Sequence, residues 1–151
     1  MMISISKDKA IGSASVRTSK KISRFLNVNL KPFNITTEQW SVLRTLSETD
    51  HISQKELSEL ADKDQATLTK ILDLLEKHQF VKRVSNPADR RSFLITITDQ
   101  GEALAKKVAP FIEEIFVKII NGIDEQSIEI YQEVLLSLER NIDLLLDEEN
   151  N

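Results

Sequence analysis

The chain has 151 residues, 40% hydrophobic and 29% charged, which is enough for one domain with a buried core. It contains no cysteine, and this excludes disulfides, thiolate metal sites, catalytic thiols and thiol redox sensing together. The net charge of −4, taken as one number, argues against a polyanionic ligand, because phosphate contacts need Lys and Arg. The charge is unevenly placed, however. Residues 1–50 carry 8 basic and 4 acidic side chains, residues 51–97 carry 8 and 7, and residues 98–151 carry 4 and 13. The acidic last third is expected to face away from any polyanion that the rest approaches. The N-terminus MMISISKDKAIGS lacks the apolar core of a signal peptide, and no later run is long and apolar enough to cross a bilayer, so a soluble cytoplasmic protein is expected.

From about Lys7 to Leu30, Ile11, Ala14, Ser15, Thr18, Ile22, Phe25 and Leu26 recur at helical spacing, and Lys31-Pro32 ends that helix. A second helix opens at Thr36, with Gln39 as capping-box partner, and aligns Trp40, Leu43 and Leu46 before ending near Thr49-Asp50. Ser53 with Glu56 repeats that spacing and starts a short third helix, with Leu57, Leu60 and Ala61 expected inside. Asp64 then caps a fourth helix running to about His78, whose inward stripe is Leu68, Ile71, Leu72 and Leu75. Its opposite stripe, Ala66, Thr69, Lys70 and Asp73, is small or polar.

Phe80 to Ser85 and Arg91 to Thr98 have the β-branched and aromatic content of two short strands, joined by the turn Asn86 to Arg90. Thr98 caps a long helix that carries Leu104, Val108, Phe111, Ile112, Ile115 and Ile119, and Pro110 within it predicts a bend rather than an end. Gly122-Ile123-Asp124 breaks and recaps the chain before the last helix. There Ile128, Tyr131, Leu135, Leu138, Ile142 and Leu145 form one stripe, while Leu136, Leu144 and Leu146 lie outside it. Leucines on more than one face predict burial against a second copy, so the first and last helices are the expected dimerisation unit.

Chemistry has little to work with. His51 and His78 fall at helix boundaries without ligand-type partners, and Gly12, Gly101 and Gly122 are isolated, so no enzyme, cofactor or metal site is expected. The helix–turn–helix–strand–turn–strand unit offers a better mechanism. A helix that reads DNA in the major groove shows short polar side chains near its N-terminus while its other face docks on the domain. Gln65 can pair with adenine, Thr67 and Thr69 can reach bases or phosphates, and Lys70 suits a phosphate. An ordinary amphipathic helix would also have a polar outer side, so on this helix alone the two readings stand close. The hairpin tip decides for DNA: Arg90 and Arg91 can reach a minor groove, with Asp89 expected to orient one of them by a carboxylate–guanidinium pair and Arg83 to do the same from the facing strand.

These residues resemble those of the MarR family of bacterial transcriptional regulators. Ile35-Thr36 with Gln39 and Val42-Leu43, the x-x-Glu-Leu-Ala helix from Ser53 to Ala61, Thr67-Leu68-Thr69 through Leu75-Glu76 and Phe80-Val81, Asn86-Pro87 with Asp89-Arg90-Arg91, and Ile97-Thr98 with Gly101 follow the family's order and spacing. The resemblance implies a fold that is mainly α with a small β-hairpin wing. Residues 36–98 would be the winged helix-turn-helix DNA-binding part of a single domain, and residues 1–31 and 99–151 the helical dimerisation part. It further implies a homodimeric repressor on a pseudo-palindromic operator, with Gln65, Ala66, Thr67, Thr69 and Lys70 in the major groove, Arg91 in the minor groove and Asp89 bracing it. Ser53, Gln54, Arg83 and Arg90 complete the expected DNA-binding set. One departure is Gln79, where the family usually has glycine. Many relatives respond to small aromatic or amphipathic effectors, and Phe25, Phe33, Trp40 and Phe111 are the candidates to line such a pocket, although each also reads as core. A winged-helix module that docks a protein instead of DNA is the alternative function.

Overall fold

The computed structural model describes residues 6–150. A π-helical run, Asp8–Ser13, leads into α1, Ala14–Leu30, and a 3-10 turn, Lys31–Phe33, closes it. Next come α2, Thr37–Glu48; β1, Ile52–Ser53; α3, Gln54–Leu60; α4, Gln65–Lys77; β2, Val81–Ser85; β3, Phe93–Ile97; α5, Asp99–Ile119; and α6, Glu125–Glu149. Among the described residues no helix is long and apolar enough to cross a membrane. The expected mainly helical fold with a small wing is the observed one.

The chain divides into two compact units, one ending at Glu114 and the other beginning at Ile115. In the first, α2 packs on α1, α3, α4 and β3, and the largest fully buried side chains include Leu43, Leu46, Leu68, Leu72 and Leu75. Local chemistry sets the ends of these helices. Thr36 and Gln39 form the full capping box, each side chain taking the other's backbone N–H at 3.2 and 3.0 Å. Ser53 and Asp64 cap α3 and α4 through Glu56 N–H at 3.1 Å and Thr67 N–H at 2.8 Å.

Two expectations need correction. The sheet has three strands, not two, in the order β1-β3-β2 and antiparallel throughout. Strand β1 is only two residues long, too short to show alternation. It exists because β3 offers it an edge, with Ile52 opposite Ile95 and Ser53 opposite Leu94. The Asp50 carboxylate secures that edge by accepting the N–H groups of His51 at 2.8 Å and Ile97 at 2.9 Å. Leu60 is also not inside: it is 57% exposed, and Ser58 is buried beside Leu57 and Ala61 instead. Residues 57, 58 and 61 share one face, and at 3.6 residues per turn Leu60 lies about 110° from its centre.

Helix α4 ends in a Schellman arrangement, with Phe80 N–H donating to Leu75 C=O and Gln79 N–H to Glu76 C=O, both at 2.9 Å. This places Gln79 at φ 65°, left-handed, the conformation that favours glycine. The turn into the wing therefore keeps its geometry without the glycine. The start of α5 locks against it: Thr98 Oγ1 donates to Gln79 C=O at 2.6 Å and Thr98 N–H to Phe80 C=O at 3.0 Å. A Cβ on Gly101 would collide with the Phe80 carbonyl oxygen and meet Ile97 Cγ1 at 2.8 Å, so only glycine fits. Helix α5 then runs unbroken through Pro110.

The second unit holds the end of α5, the turn at Gly122 (φ 85°) and α6. Asp124 caps α6 by accepting Ser127 N–H at 2.7 Å, and the Ser127 hydroxyl together with this N–H holds its carboxyl below the usual value. No residue of α6 is buried, and Tyr131, Leu135, Leu144 and Leu145 all lie exposed.

The corner between α4, the wing and α5 yields a paired prediction. Gln79→Gly should raise stability by about 1 kcal/mol by removing the left-handed penalty, and Gly101→Ala should lower it by about 2 kcal/mol through overpacking against backbone. Urea denaturation checks both: the midpoint should move in opposite directions for the two variants, with an unchanged slope.

Candidate nucleic-acid interface

The outer face of α4 follows from its inner one. Burial of Leu68, Ile71, Leu72 and Leu75 turns Gln65, Ala66, Thr69, Lys70 and Asp73 outward, while Thr67 is half-buried. Asp64 accepts both the backbone N–H and the hydroxyl of Thr67 at 2.8 Å, and these bonds hold its carboxyl below the ordinary aspartate value of 3.8. The first turn of α4 is thereby ordered where base-reading side chains would sit.

Two side-chain bonds tie α3 to α4. Gln54 Nε2 donates to Thr69 Oγ1 at 2.8 Å, and Gln65 Nε2 donates to Ser58 Oγ at 3.3 Å. The Thr69 hydroxyl in turn donates to Gln65 C=O at 2.8 Å, so its one proton is already committed within the helix. The longer Gln65 bond is the weaker one, and a bidentate contact from Gln65 to adenine requires its exchange.

The wing is the β2–β3 hairpin, paired from Val81 opposite Ile97 to Ser85 opposite Phe93. Its tip is internally bonded: Asn86 Oδ1 accepts Ala88 N–H at 3.0 Å, Asn86 Nδ2 donates to Ser92 Oγ at 3.1 Å, and Asp89 Oδ1 accepts Arg91 N–H at 3.0 Å. Arg90 and Arg91 are exposed and make no ion pair among the described residues.

The guanidinium pairing expected at Asp89 is not observed. Asp89 holds the backbone of Arg91 rather than a guanidinium, and Arg83 turns toward α4. Arg83 Nη2 meets Asp73 Oδ1 at 2.8 Å and Thr69 C=O at 3.3 Å, and Nη1 meets Glu76 Oε1 at 3.0 Å. The other Glu76 oxygen accepts the Arg83 backbone N–H at 3.2 Å. Arg83 sits opposite Ile95, two residues down the strand from the Ser85–Phe93 pair that closes the hairpin, so the α4 carboxylates are its available partners. Asp73 and Glu76 were not singled out from sequence as parts of the site. Their signal is an i, i+3 acidic pair on the exposed side of a helix that faces a basic strand.

Of the aromatic candidates, Phe33 and Phe111 are brought together, ring centroids 5.2 Å apart, whereas Phe25 is exposed and Trp40 is buried in the core. Trp40 Nε1 is buried without a hydrogen-bond partner. Among the described residues no cluster of three His, Asp or Glu side chains could hold a metal ion.

A model of the MarR family matches residues 35–93. The HTH-type transcriptional regulator SarZ of Staphylococcus aureus is 33% identical over 104 residues, which are 69% of this chain and 68% of SarZ. YhbI of Bacillus subtilis, an uncharacterised HTH-type transcriptional regulator, is 32% identical over 90 residues, 60% of this chain and 58% of that protein's length. A cysteine-to-serine mutant of Escherichia coli MarR, solved with operator DNA, superposes with a TM-score of 0.81 at 25% identity, covering 89% of this chain and 99% of the other.

The Asp64 cap carries a pH dependence of definite sign. Its folded-state carboxyl lies below 3.8, so its contribution is present above that value and is lost as pH falls through the folded value. The amide of Thr67, followed by NMR, should keep its downfield, bonded shift at pH 3.8 and lose it only on further acidification. In Asp64→Asn that acid transition should be absent.

Proposed function

This chain belongs to the MarR family and is a transcriptional regulator rather than an enzyme, and from that premise we propose that it is a cytoplasmic homodimeric repressor that grips a pseudo-palindromic operator. The observation that carries the reading is the pairing of an ordered, outward polar row on α4 with exposed Arg90 and Arg91 on an internally bonded wing tip. Gln65, Ala66, Thr67, Thr69 and Lys70 enter the major groove, Ser53 and Gln54 approach the phosphate backbone from the start of α3, and Arg91 enters the neighbouring minor groove. The MarR relative solved with operator DNA supports the same use of the fold.

Dimerisation by residues 1–31 and 99–151 is supported by α6, none of whose described residues is fully buried and which carries exposed apolar side chains on several sides. Charge supports it as well. Lys7, Lys9, Arg17, Lys20, Lys21, Arg24 and Lys31 stand against only Asp8 in the first helical stretch, while α6 holds Arg140 against eight carboxylates. Two recognition helices held about one helical turn of DNA apart, about 34 Å, supply the affinity that one near-neutral lobe lacks.

Selection of bound fragments from the source genome, followed by titration on the recovered duplex, tests this. Wild-type binding should weaken steeply with salt, and Arg91→Ala and Thr69→Ala should each cost about 1–3 kcal/mol while sedimentation still shows a dimer. Leu144→Ser with Leu145→Ser should dissociate the dimer and reduce binding together. Binding of a protein partner with no salt-dependent DNA binding would replace this reading with a docking module.

Effector control is the finer part of the proposal. Its support is Trp40, whose buried Nε1 has no acceptor, and the Phe33–Phe111 pair, with ring centroids 5.2 Å apart. A small aromatic or amphipathic molecule bearing an acceptor would satisfy that donor. Because Trp40 is the only tryptophan, its fluorescence should change on titration with benzoate-type acids, in step with release of the operator duplex. A set of such ligands that leaves both signals flat counts against effector control.

A further inference from the structure

Among the described residues Arg83 is the basic side chain that forms ion pairs, and its surroundings differ from those of a phosphate ligand. Its guanidinium side chain is 17% exposed and meets three acceptors on a single helix: Asp73, Glu76 and the carbonyl of Thr69. Its own backbone N–H holds the second oxygen of Glu76, so this carboxylate clasps strand β2 at two points. Thr69, whose carbonyl takes Arg83, also receives Gln54 from α3 at its hydroxyl. A continuous polar seam thus runs from α3 through α4 to the wing on the side away from the buried leucines.

We propose that Arg83 is a positioning residue that fastens the wing to the recognition helix through Asp73 and Glu76, setting the angle between Arg91 and the α4 side chains, and that it contacts no phosphate itself. The inference rests on the DNA-binding reading above and reassigns one of its residues. Planar guanidinium geometry is what the role requires, because two carboxylates and a carbonyl are reached by one rigid fork. An ammonium on a flexible stem would reach one of them at a time. The same pairing offsets two negative charges on a helix that must approach phosphate.

The roles of strut and phosphate ligand predict effects of opposite sign. If Arg83 is a strut, Asp73→Ala with Glu76→Ala weakens binding to the genome-selected duplex about fivefold or more, even though two carboxylates have left the interface. If Arg83 is a phosphate ligand, the same variant frees its guanidinium and tightens binding. Arg83→Lys separates them again, since a strut fails with lysine about as badly as with alanine, whereas a phosphate contact tolerates the retained charge. Adding Arg83→Ala to the double variant should cause no further loss, because the three residues act as one unit.

Amide hydrogen exchange of the DNA-free protein supplies an arm that does not depend on the operator. Arg83→Ala and Arg83→Lys should each speed exchange at residues 81–85 and 93–97 about fivefold, with α2 unchanged. Unchanged wing exchange overturns the proposal, and so does a double carboxylate variant that binds as tightly as wild type while Arg83→Ala lowers the salt slope by about 0.9. A wild-type protein that binds no duplex would refute the DNA reading, and the exchange arm would still decide whether Arg83 fastens the wing.

Discussion

Burial of one face of α4 is the constraint on which the rest of this lobe depends. Leu68, Ile71, Leu72 and Leu75 are each at most 5% exposed, and they are packed where α2 and β2 meet the helix. Once that stripe is inside, helical geometry leaves no choice about the other side: residues 65, 66, 69, 70 and 73 must face outward. The hydrophobic effect therefore both stabilises the lobe and aims the polar row proposed to read DNA. Any change that rotated α4 by one residue would put leucine toward solvent and threonine into the core.

Burial alone does not locate the wing relative to that helix. Polar chemistry outside the core does this, at two places. On one side the Schellman turn at Gln79 is clamped by Thr98, and the closeness of Gly101 to the Phe80 carbonyl leaves no room for adjustment. On the other side Arg83 bridges Asp73 and Glu76. A hairpin held at its base by backbone contacts and along its flank by charged bonds can keep an exposed tip in a defined place. The tip has its own order, since Asn86 and Asp89 accept nearby backbone N–H groups.

Charge is arranged with similar economy. The net value of −4 conceals a basic first helix, a near-neutral middle segment and an acidic last helix. A lobe of this kind has little non-specific attraction for DNA, and affinity then depends on the number of lobes presented and on their spacing. The proposed dimer would use the terminal helices for that task, since among the described residues no side chain of α6 is fully buried although it carries many leucines.

Much of this was legible in the sequence. Caps at Thr36, Ser53, Asp64 and Thr98, the α4 stripe, the hairpin and the family resemblance all rest on residues within one or two turns of each other, where spacing translates directly into geometry. What the sequence could not determine involves partners far apart along the chain or elements too short to show a period. Strand β1 is two residues that become a strand only because β3 lies beside them. Leu60 was placed inside by its hydrophobicity and put outside by a seven-residue helix that buries Ser58. Arg83, on the facing strand, is expected from sequence to pair with Asp89 of the tip, yet hairpin register points it at carboxylates seven and ten residues earlier. The sequence by itself thus determined which helices form and, for α2 and α4, which face is buried, because those are local consequences of period and capping. Tertiary structure alone decided which polar groups meet across elements, because that depends on register and on the distance between faces that no local pattern encodes.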